Sequence, residues 1–321
     1  MTAFLSPRWI VALPARNEAE RLPAALCALD LAAAGARAQV GVLVFANGCE
    51  DDTAAIARRM ACDLSRIDLA VVEADLPSQD NHAGGARRAS VEAARHVFGA
   101  HPQDLLFTTD ADAQLAQDAF RLAEGAFDGA ADLVLARIDC IADPFDPAPE
   151  AALAWGTPAV LWRHKVRTLA ETVRTGQVPY PPLHDDYGGA GIAIRFAAYD
   201  ALGGFASVPF DEDKRLVLAA DRAGLRVDRA CGFAVSVYTR MTGRAVGGMA
   251  TALAQNVLRA AQNAPCLVER HDMTLARLLR DPSHASAFTD EPAALEPVEA
   301  AIHGLDAAMA RYAARPVAGT A

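Results

Sequence analysis

The stretch WIVALPARNEAERLPAALCALDLAAAGARAQVGVLVFANG, Trp9 to Gly48, decides the fold. It holds two short apolar runs with β-branched residues, WIVALPA (9–15) and QVGVLVFANG (39–48). Between them lies EAERLPAALCALDLAAAGA (18–36), a segment of helix formers with apolar residues at helical spacing and Gly35 as its stop. A strand, a helix and a strand in that order form the crossover unit of a parallel sheet.

Working outward, the alternation continues. EDDTAAIARRMACDL (50–64) reads as a helix with acids in its first turn, where they suit the helix dipole. IDLAVVEA (67–74) is a third strand, NHAGGARRASVEAARHVF (81–98) a glycine turn feeding a helix, and DLLFTTD (104–110) a fourth strand. The expectation is an α/β fold, a Rossmann-like, mostly parallel sheet with helices on both faces. Ligands bind such sheets beyond the carboxyl ends of the strands. PARNE, ANGCEDDT and DAD close the first, second and fourth runs. One polar loop on that rim is ordinary; three predict one site.

TTDADA places Asp110 and Asp112 one residue apart where an apolar run ends. Read alone, the pair is a solvated turn. Read with the other loops, it is a site for a divalent cation, since alternate side chains of an extended segment face one way.

After ADLVLARIDC (131–140), the proline-rich DPFDPAP (143–149) reads as a connection, and residues 150–175 as a helix with Trp155 and Trp162 packed. GIAIRF (191–196) is a strand, followed by a helix that ends at Gly203-Gly204. DEDKRLVLAADRAGLRV (211–227) is an acidic helix start, a helix and a strand, with Asp211 at the capping position. Beyond about residue 245 the chain is alanine-rich and helical. The expected organisation is a catalytic domain over 1–245, with a nucleotide-binding half to about 140 and an acceptor half over about 141–245. A helical C-terminal extension follows over 246–321.

Composition narrows the partners. The chain has 321 residues, 52% hydrophobic, with a formal net charge of -10. That length supports a sizeable core, and the acidity argues against a general nucleic-acid binder, which needs a basic face. The six cysteines, at 27, 49, 62, 140, 231 and 266, form no CxxC pair. They read as reduced, mostly buried thiols of a cytoplasmic protein. The N-terminus lacks signal-peptide features, and no apolar run reaches transmembrane length. Peripheral contact with a membrane surface stays open.

Together these stretches resemble the family 2 glycosyltransferases with the GT-A fold. VALPARNEAERL resembles that family's strand followed by P-x-x-N-E, and VFANGCEDDTAAIA its D-N-G-S-x-D-x-T loop. GGARRAS resembles its G-x-A-R-N segment, and TTDADA its D-x-D metal motif. YGGAGIAIRFAAYDALGGF resembles the stretch ending in G-G-F, and DEDKRLVLAADRAGLRV the E-D motif with its helix. The match runs in order over roughly residues 9 to 245. Each motif is weak alone; six in sequence are specific.

The resemblance implies a metal-assisted, inverting transfer from a nucleotide-sugar, by default a UDP-sugar, to a hydroxyl acceptor. Mg²⁺ or Mn²⁺ would be held by Asp112 directly, with Asp110 nearer the ribose or a metal-bound water. Pro14, Ala15, Arg16 and Glu18 match positions near base and ribose, and Asn47 a base-contacting position. Arg87 matches the arginine that approaches base or phosphates. Asp213 matches the catalytic base, with Glu212 its neighbour. The departures are Ala46 for the usual first acid, Cys49 for serine, Arg88 for asparagine, and Arg215 where a further acid often stands. Ala46 and Cys49 put base identity in doubt, and Arg215 does the same for the assignment of Asp213.

Other residues have blander readings. Gly84, Gly85, Gly188, Gly189 and Gly191 allow a backbone to approach a ligand closely. Cys49 reads as a small buried residue rather than a nucleophile, Arg88 as solvent-facing, and Asp185 and Asp186 as a solvated loop. His164, His184 and His271 read as structural or exposed, though one could complete a metal site. Arg240 and Arg244 are basic positions for a diphosphate or an anionic acceptor. Two rivals stay open. One is a sugar-phosphate nucleotidyltransferase, which usually carries a glycine-rich loop that PARNE lacks. The other is a non-catalytic nucleotide-binding member of the fold.

Overall fold

Along the first strand, β1 (Trp9–Ala15), side chains serve two different cores. Trp9, Val11, Leu13 and Ala15 enter one apolar cluster, and Ile10 and Ala12 another, because successive strand residues face opposite sides. The structure, a computed structural model, describes residues 8–229, 232–243, 248–282 and 294–313. The expected alternation follows in α1 (Leu22–Ala33), β2 (Val40–Asn47), α2 (Thr53–Met60), β3 (Ile67–Ala74), α3 (Ala83–Phe98) and β4 (Leu105–Thr108). After β4 come β5 (Ala113–Leu115), α4 (Ala119–Asp128), β6 (Leu133–Leu135) and β7 (Arg137–Ala142).

One face of the sheet is covered by α1, α2 and α4, through Leu22, Leu26, Leu29, Ala57, Phe120 and Phe127. The other is covered by α3 and two later helices, described below, through Val91, Ala94, Phe196, Tyr199, Leu216 and Val217. Burial on both faces explains why the strands read as near-continuous apolar runs.

Residues 142–186 group with 239–243 and the stretch from 248 onward in one compact unit; the sheet belongs to the other. In the sheet unit, a 3₁₀ turn at Gly189–Gly191 leads into β8 (Ile192–Arg195), α6 (Phe196–Ala201), α7 (Glu212–Arg222), β9 (Val227–Asp228) and β10 (Ala234–Thr239). Strand order is β3-β2-β1-β4-β8-β6-β9. β1 pairs in parallel with β2 and β4, and β2 with β3. β8 runs antiparallel to both β4 and β6.

That reversal positions the site. Parallel strands end on the ligand rim, whereas an antiparallel strand begins there. Ile192, first in β8, is opposite Thr108, last in β4. The glycines before β8 are therefore delivered to the rim where β4 ends. A small second sheet, β5-β10-β7, completes this unit.

The other unit is built on α5 (Glu150–Thr175), which spans the expected 150–175. Trp162 packs there with Val166 and Leu169 against residues of β11 (Leu267–Glu269), α9 (His271–Arg280) and α10 (Val298–Ala313). Trp155 Nε1 donates to the Ala264 carbonyl at 2.8 Å, and Arg259 stacks on its ring, 5.0 Å from the centroid. Among its described residues, the stretch from 248 onward is mostly helical, as expected, with α8 (Met249–Ala261) joining α9 and α10. It also holds a two-stranded antiparallel sheet of β11 and β12 (Leu295–Pro297), with α9 between them in sequence, that no sequence pattern announced.

The cysteines differ from expectation. Cys27, Cys62 and Cys140 are exposed, and only Cys49 and Cys266 are partly covered. In α1, Leu22, Leu26 and Leu29 occupy the buried face and leave Cys27 outside it. Cys231 lies outside the described residues.

Candidate active site

β1 and β2 finish level, with Ala15 opposite Ala46, so their trailing loops emerge side by side. Asn47, the last residue of β2, is buried and bonded twice. Its Oδ1 accepts from the Leu76 amide at 3.0 Å, and its Nδ2 donates to Asn81 Oδ1 at 3.0 Å. Arg16, exposed, also donates to Asn81 Oδ1, at 3.2 Å. Pro14 and Ala15 close β1 beside them. Glu18 is buried; its amide donates to Thr53 Oγ1 at 2.8 Å, and its carboxylate is 4.0 Å from Arg21. The Cys49 thiol, half-buried, lies 3.5 Å from the Asn17 amide and 3.6 Å from the Ala15 carbonyl oxygen. That is a packed structural position, as its sequence reading holds.

Arg87 is the centre of the rim. It is only 7% exposed, on α3, and its guanidinium reaches three acceptors on three other segments. Nε donates to Glu212 Oε1 at 2.9 Å, Nη1 to the Gly189 carbonyl at 3.0 Å, and Nη2 to Asp110 Oδ1 at 2.8 Å. The Phe205 ring lies 6.0 Å from the guanidinium carbon. Burial penalises the Arg87 charge, but the carboxylates of Asp110 and Glu212 outweigh that penalty and raise its pKa above the ordinary arginine value. Arg88, one residue on, is exposed, in keeping with its sequence reading.

Gly189 is held from three directions. Its carbonyl accepts from Arg87 and from Thr108 Oγ1, the latter at 2.8 Å, and its amide donates to Asp213 Oδ2 at 2.7 Å. A Cβ at this position would sit 2.3 Å from the Arg87 guanidinium carbon. Gly84 and Gly85 are tight for a similar reason: added Cβ atoms would meet the Val208 and Asp80 carbonyl oxygens at 2.4 and 2.0 Å. At these glycines the chain itself makes a close approach.

Asp211 precedes α7 with φ +64°, and its side chain makes no capping bond, so the capping position is filled but the expected cap is not formed. Glu212 is buried against Arg87. Asp213 is partly buried, and its Oδ1 accepts from the Lys214 amide at 2.6 Å. Burial, then the neighbouring Glu212 charge, push the Asp213 carboxyl up to about 6, against the pull of Arg87 and the two amides. Each carboxylate oxygen has two lone-pair directions, so one amide bond to each leaves room to accept a proton. Arg215 is exposed.

The segment after β4 is not extended as expected. Ala111 and Asp112 form a turn in which the Ala113 amide donates to the Asp110 carbonyl at 3.1 Å, because Ala113 must enter β5. Strand alternation therefore does not set the directions of the two carboxylates. Among the described residues no group of three or more His, Cys, Asp or Glu could hold a metal ion alone. The donor set of Asp110 and Asp112 instead fits a hard cation that takes its remaining ligands from phosphate and water.

The second unit holds its own charged cluster. Asp185 and Asp186 are buried rather than solvated. Arg167 Nε donates to Asp185 Oδ1 at 2.9 Å, and His164 Nε2 is 3.0 Å from Asp186 Oδ1. The His184 ring is also buried, 3.7 Å from Asp186, and His271 Nδ1 is 2.9 Å from Glu296. Each histidine has a carboxylate partner. Arg240 forms an isolated bridge with Pro147, and Arg244 lies outside the described residues.

No family model and no curated protein matches the chain. Solved structures do. S. aureus TarS 1–349 in complex with UDP-GlcNAc superposes with a TM-score of 0.50 at 14% identity, over 87% of this chain and 73% of that one. The mannosyltransferase PcManGT from Pyrobaculum calidifontis, in complex with GDP-Man and Mn²⁺, gives 0.51 at 18% identity, over 99% and 77%. The fold is one that glycosyltransferases use.

Against that fold, Asn47, Arg16, Arg87, Asp110, Glu212 and Asp213 lie on or beside the expected rim. Asn81, Thr108 and the Gly189 peptide belong to it too, and the sequence did not single out their bonds. The usable signals were their position beside strand ends and, for Gly189, its being a glycine; nothing in residue type marks Asn81 or Thr108.

Proposed function

We propose that the protein transfers a sugar from a nucleotide-sugar to a hydroxyl acceptor, with inversion, at the rim where Asp110 and Asp213 meet through Arg87. The observation that carries the reading is this junction: one guanidinium joins the end of β4 to the acid pair that opens α7. The two structural relatives, one bound to UDP-GlcNAc and one to GDP-Man with Mn²⁺, support a donor of that class. Uridine is the default base and guanosine the next to test.

In the proposed step the acceptor hydroxyl oxygen bonds to the anomeric carbon as the bond from that carbon to the diphosphate oxygen breaks. Asp213 takes the hydroxyl proton, and the nucleoside diphosphate leaves with the bonding pair. A carboxyl near 6 is ionised at neutral pH yet basic enough to assist. Pro14, Ala15, Arg16, Glu18 and Asn47 line the nucleotide side. Mg²⁺ or Mn²⁺, held by Asp112 and Asp110, would neutralise the charge that grows on the leaving diphosphate. We assign the reaction to the cytoplasm; among the described residues no helix is long and apolar enough to cross a membrane.

The test is release of nucleoside diphosphate from a panel of UDP- and GDP-sugars with Mn²⁺ or Mg²⁺. Parallel reactions contain a nucleoside triphosphate and a sugar 1-phosphate. Diphosphate release from at least one sugar donor is expected. Pyrophosphate release in the parallel reactions, with none from the donors, would make the protein a nucleotidyltransferase.

A further inference from the structure

Arg87 has the sequence position of a residue that touches the donor, but its surroundings describe a different task. Nε, Nη1 and Nη2 each bond a protein acceptor, and the side chain is buried. The acceptors come from three places distant in sequence: the end of β4, the turn before β8 and the start of α7. We infer that Arg87 is a positioning residue, a buried strut that sets the Asp213 carboxylate relative to Asp110 through the Gly189 peptide, and not a contact for the nucleotide or its phosphates. The inference rests on the proposed transfer for its kinetic readout and on geometry alone for the rest.

The coupling runs through the backbone of one residue. Arg87 Nη1 and Thr108 Oγ1 both hold the Gly189 carbonyl, while the amide of the same residue holds Asp213 Oδ2. Moving the carbonyl shifts the Gly189 Cα that joins it to the amide, and Asp213, bonded to that amide, follows. The second arm, from Nε to Glu212, anchors the first turn of α7, one residue before Asp213. The third holds Asp110. Only a planar fork with several donors serves three acceptors in this way; a lysine keeps the charge and loses the geometry. Glu212 thereby acts as the partner of Arg87 within the buried pair. Its adjacent carboxylate, Asp213, keeps lone pairs for an incoming hydroxyl.

The test replaces Arg87 with alanine and measures four things: folding by circular dichroism, nucleotide affinity, kcat at saturating donor, and recovery with added guanidinium. We expect a folded variant that binds nucleotide within about threefold of wild type and loses about 10²-fold or more in kcat, the scale set by ångström-level misplacement of a reacting group. Guanidinium should restore part of the kcat and of the melting temperature, and methylammonium should restore neither. Arg87→Lys should resemble the alanine variant, and it carries the same comparison if the alanine variant does not fold. Lost nucleotide binding with kcat kept at saturation would overturn the inference and make Arg87 a donor contact. Full activity of Arg87→Lys would overturn it as well.

If wild type turns over no donor, the proposed function fails first, and the strut is then judged by stability. Arg87→Ala and Asp213→Asn should shift the melting temperature non-additively, since both act on Gly189. Additive shifts would refute the strut whether or not the protein is a transferase.

Discussion

Two buried arginine–carboxylate clusters sit in the two units of this protein, and they differ in one respect that bears on function. Around Arg167, Asp185 takes the guanidinium and Asp186 lies 3.0 Å from His164, so these four residues come from α5 and the loop after it. Around Arg87, one cation faces Asp110, Glu212 and Asp213. The Arg87 cluster carries surplus negative charge, gathers four segments at the strand ends, and leaves one carboxyl raised to about 6. A carboxyl shifted by burial and by a charged neighbour, set where strands end, is a candidate for function.

The sharpest way to break this comparison is to neutralise one acid in each cluster. Asp213→Asn should lower kcat by about 10²–10⁴-fold, the usual worth of a general base, with donor affinity nearly unchanged. A fully active variant sinks the assignment of Asp213. Asp185→Ala should remove a buried carboxylate bonded to Arg167 and cost about 3–5 kcal/mol of stability. Donor affinity, measured below the melting transition, should stay as in wild type; if it collapses with folding intact, the second cluster is functional and the contrast fails.

Gly189→Ala is milder. Its Cβ would meet the Arg87 guanidinium carbon at 2.3 Å, so the strut must shift, at about 1–3 kcal/mol for overpacking. Denaturant titration gives the cost, and a drop in kcat should accompany it.

The smallest effects are those of pH. Asp213 must be ionised to accept a proton, so kcat should rise with pH through a midpoint near 6; a flat profile between pH 5 and 8 points to another base. The stability effect has the opposite sense. A folded pKa of about 6, above the 3.8 ordinary for aspartate, means that stability from the protonated form is lost as pH rises across that interval. Asparagine cannot ionise, so the melting temperature of Asp213→Asn minus that of wild type should increase from pH 4 to pH 6. A constant difference would deny the burial cost.

Much of the fold was legible because strand and helix periods are local. The run from Trp9 to Gly48 gave β1, α1 and β2, and α5 fell on the residues expected. Strand direction was not legible: GIAIRF has the same pattern read either way, and only pairing with both β4 and β6 shows that β8 is reversed. At the site, Asp110 and Asp213 were marked by their place at element ends. The turn at Ala111 and Asp112 was not, because it depends on where β5 must start. Asp185 and Asp186 looked solvated in sequence because their partners, Arg167 and His164, stand eighteen and twenty-two residues earlier on α5. Arg87 and Arg88 are identical in type; the motif told them apart, but the three bonds of Arg87 showed only in the structure.

The most direct measurement is the metal-dependent change in melting temperature with nucleotide-sugars, for wild type and Asp112→Ala. A ligand that binds only the folded chain stabilises it in proportion to RT ln(1 + [L]/Kd). At least one UDP- or GDP-sugar should raise the wild-type melting temperature with Mn²⁺ or Mg²⁺, the rise should vanish with chelator, and Asp112→Ala should abolish it. No shift with any nucleotide-sugar at millimolar concentration, or an equal shift in Asp112→Ala, would contradict a metal-assisted donor site on this rim.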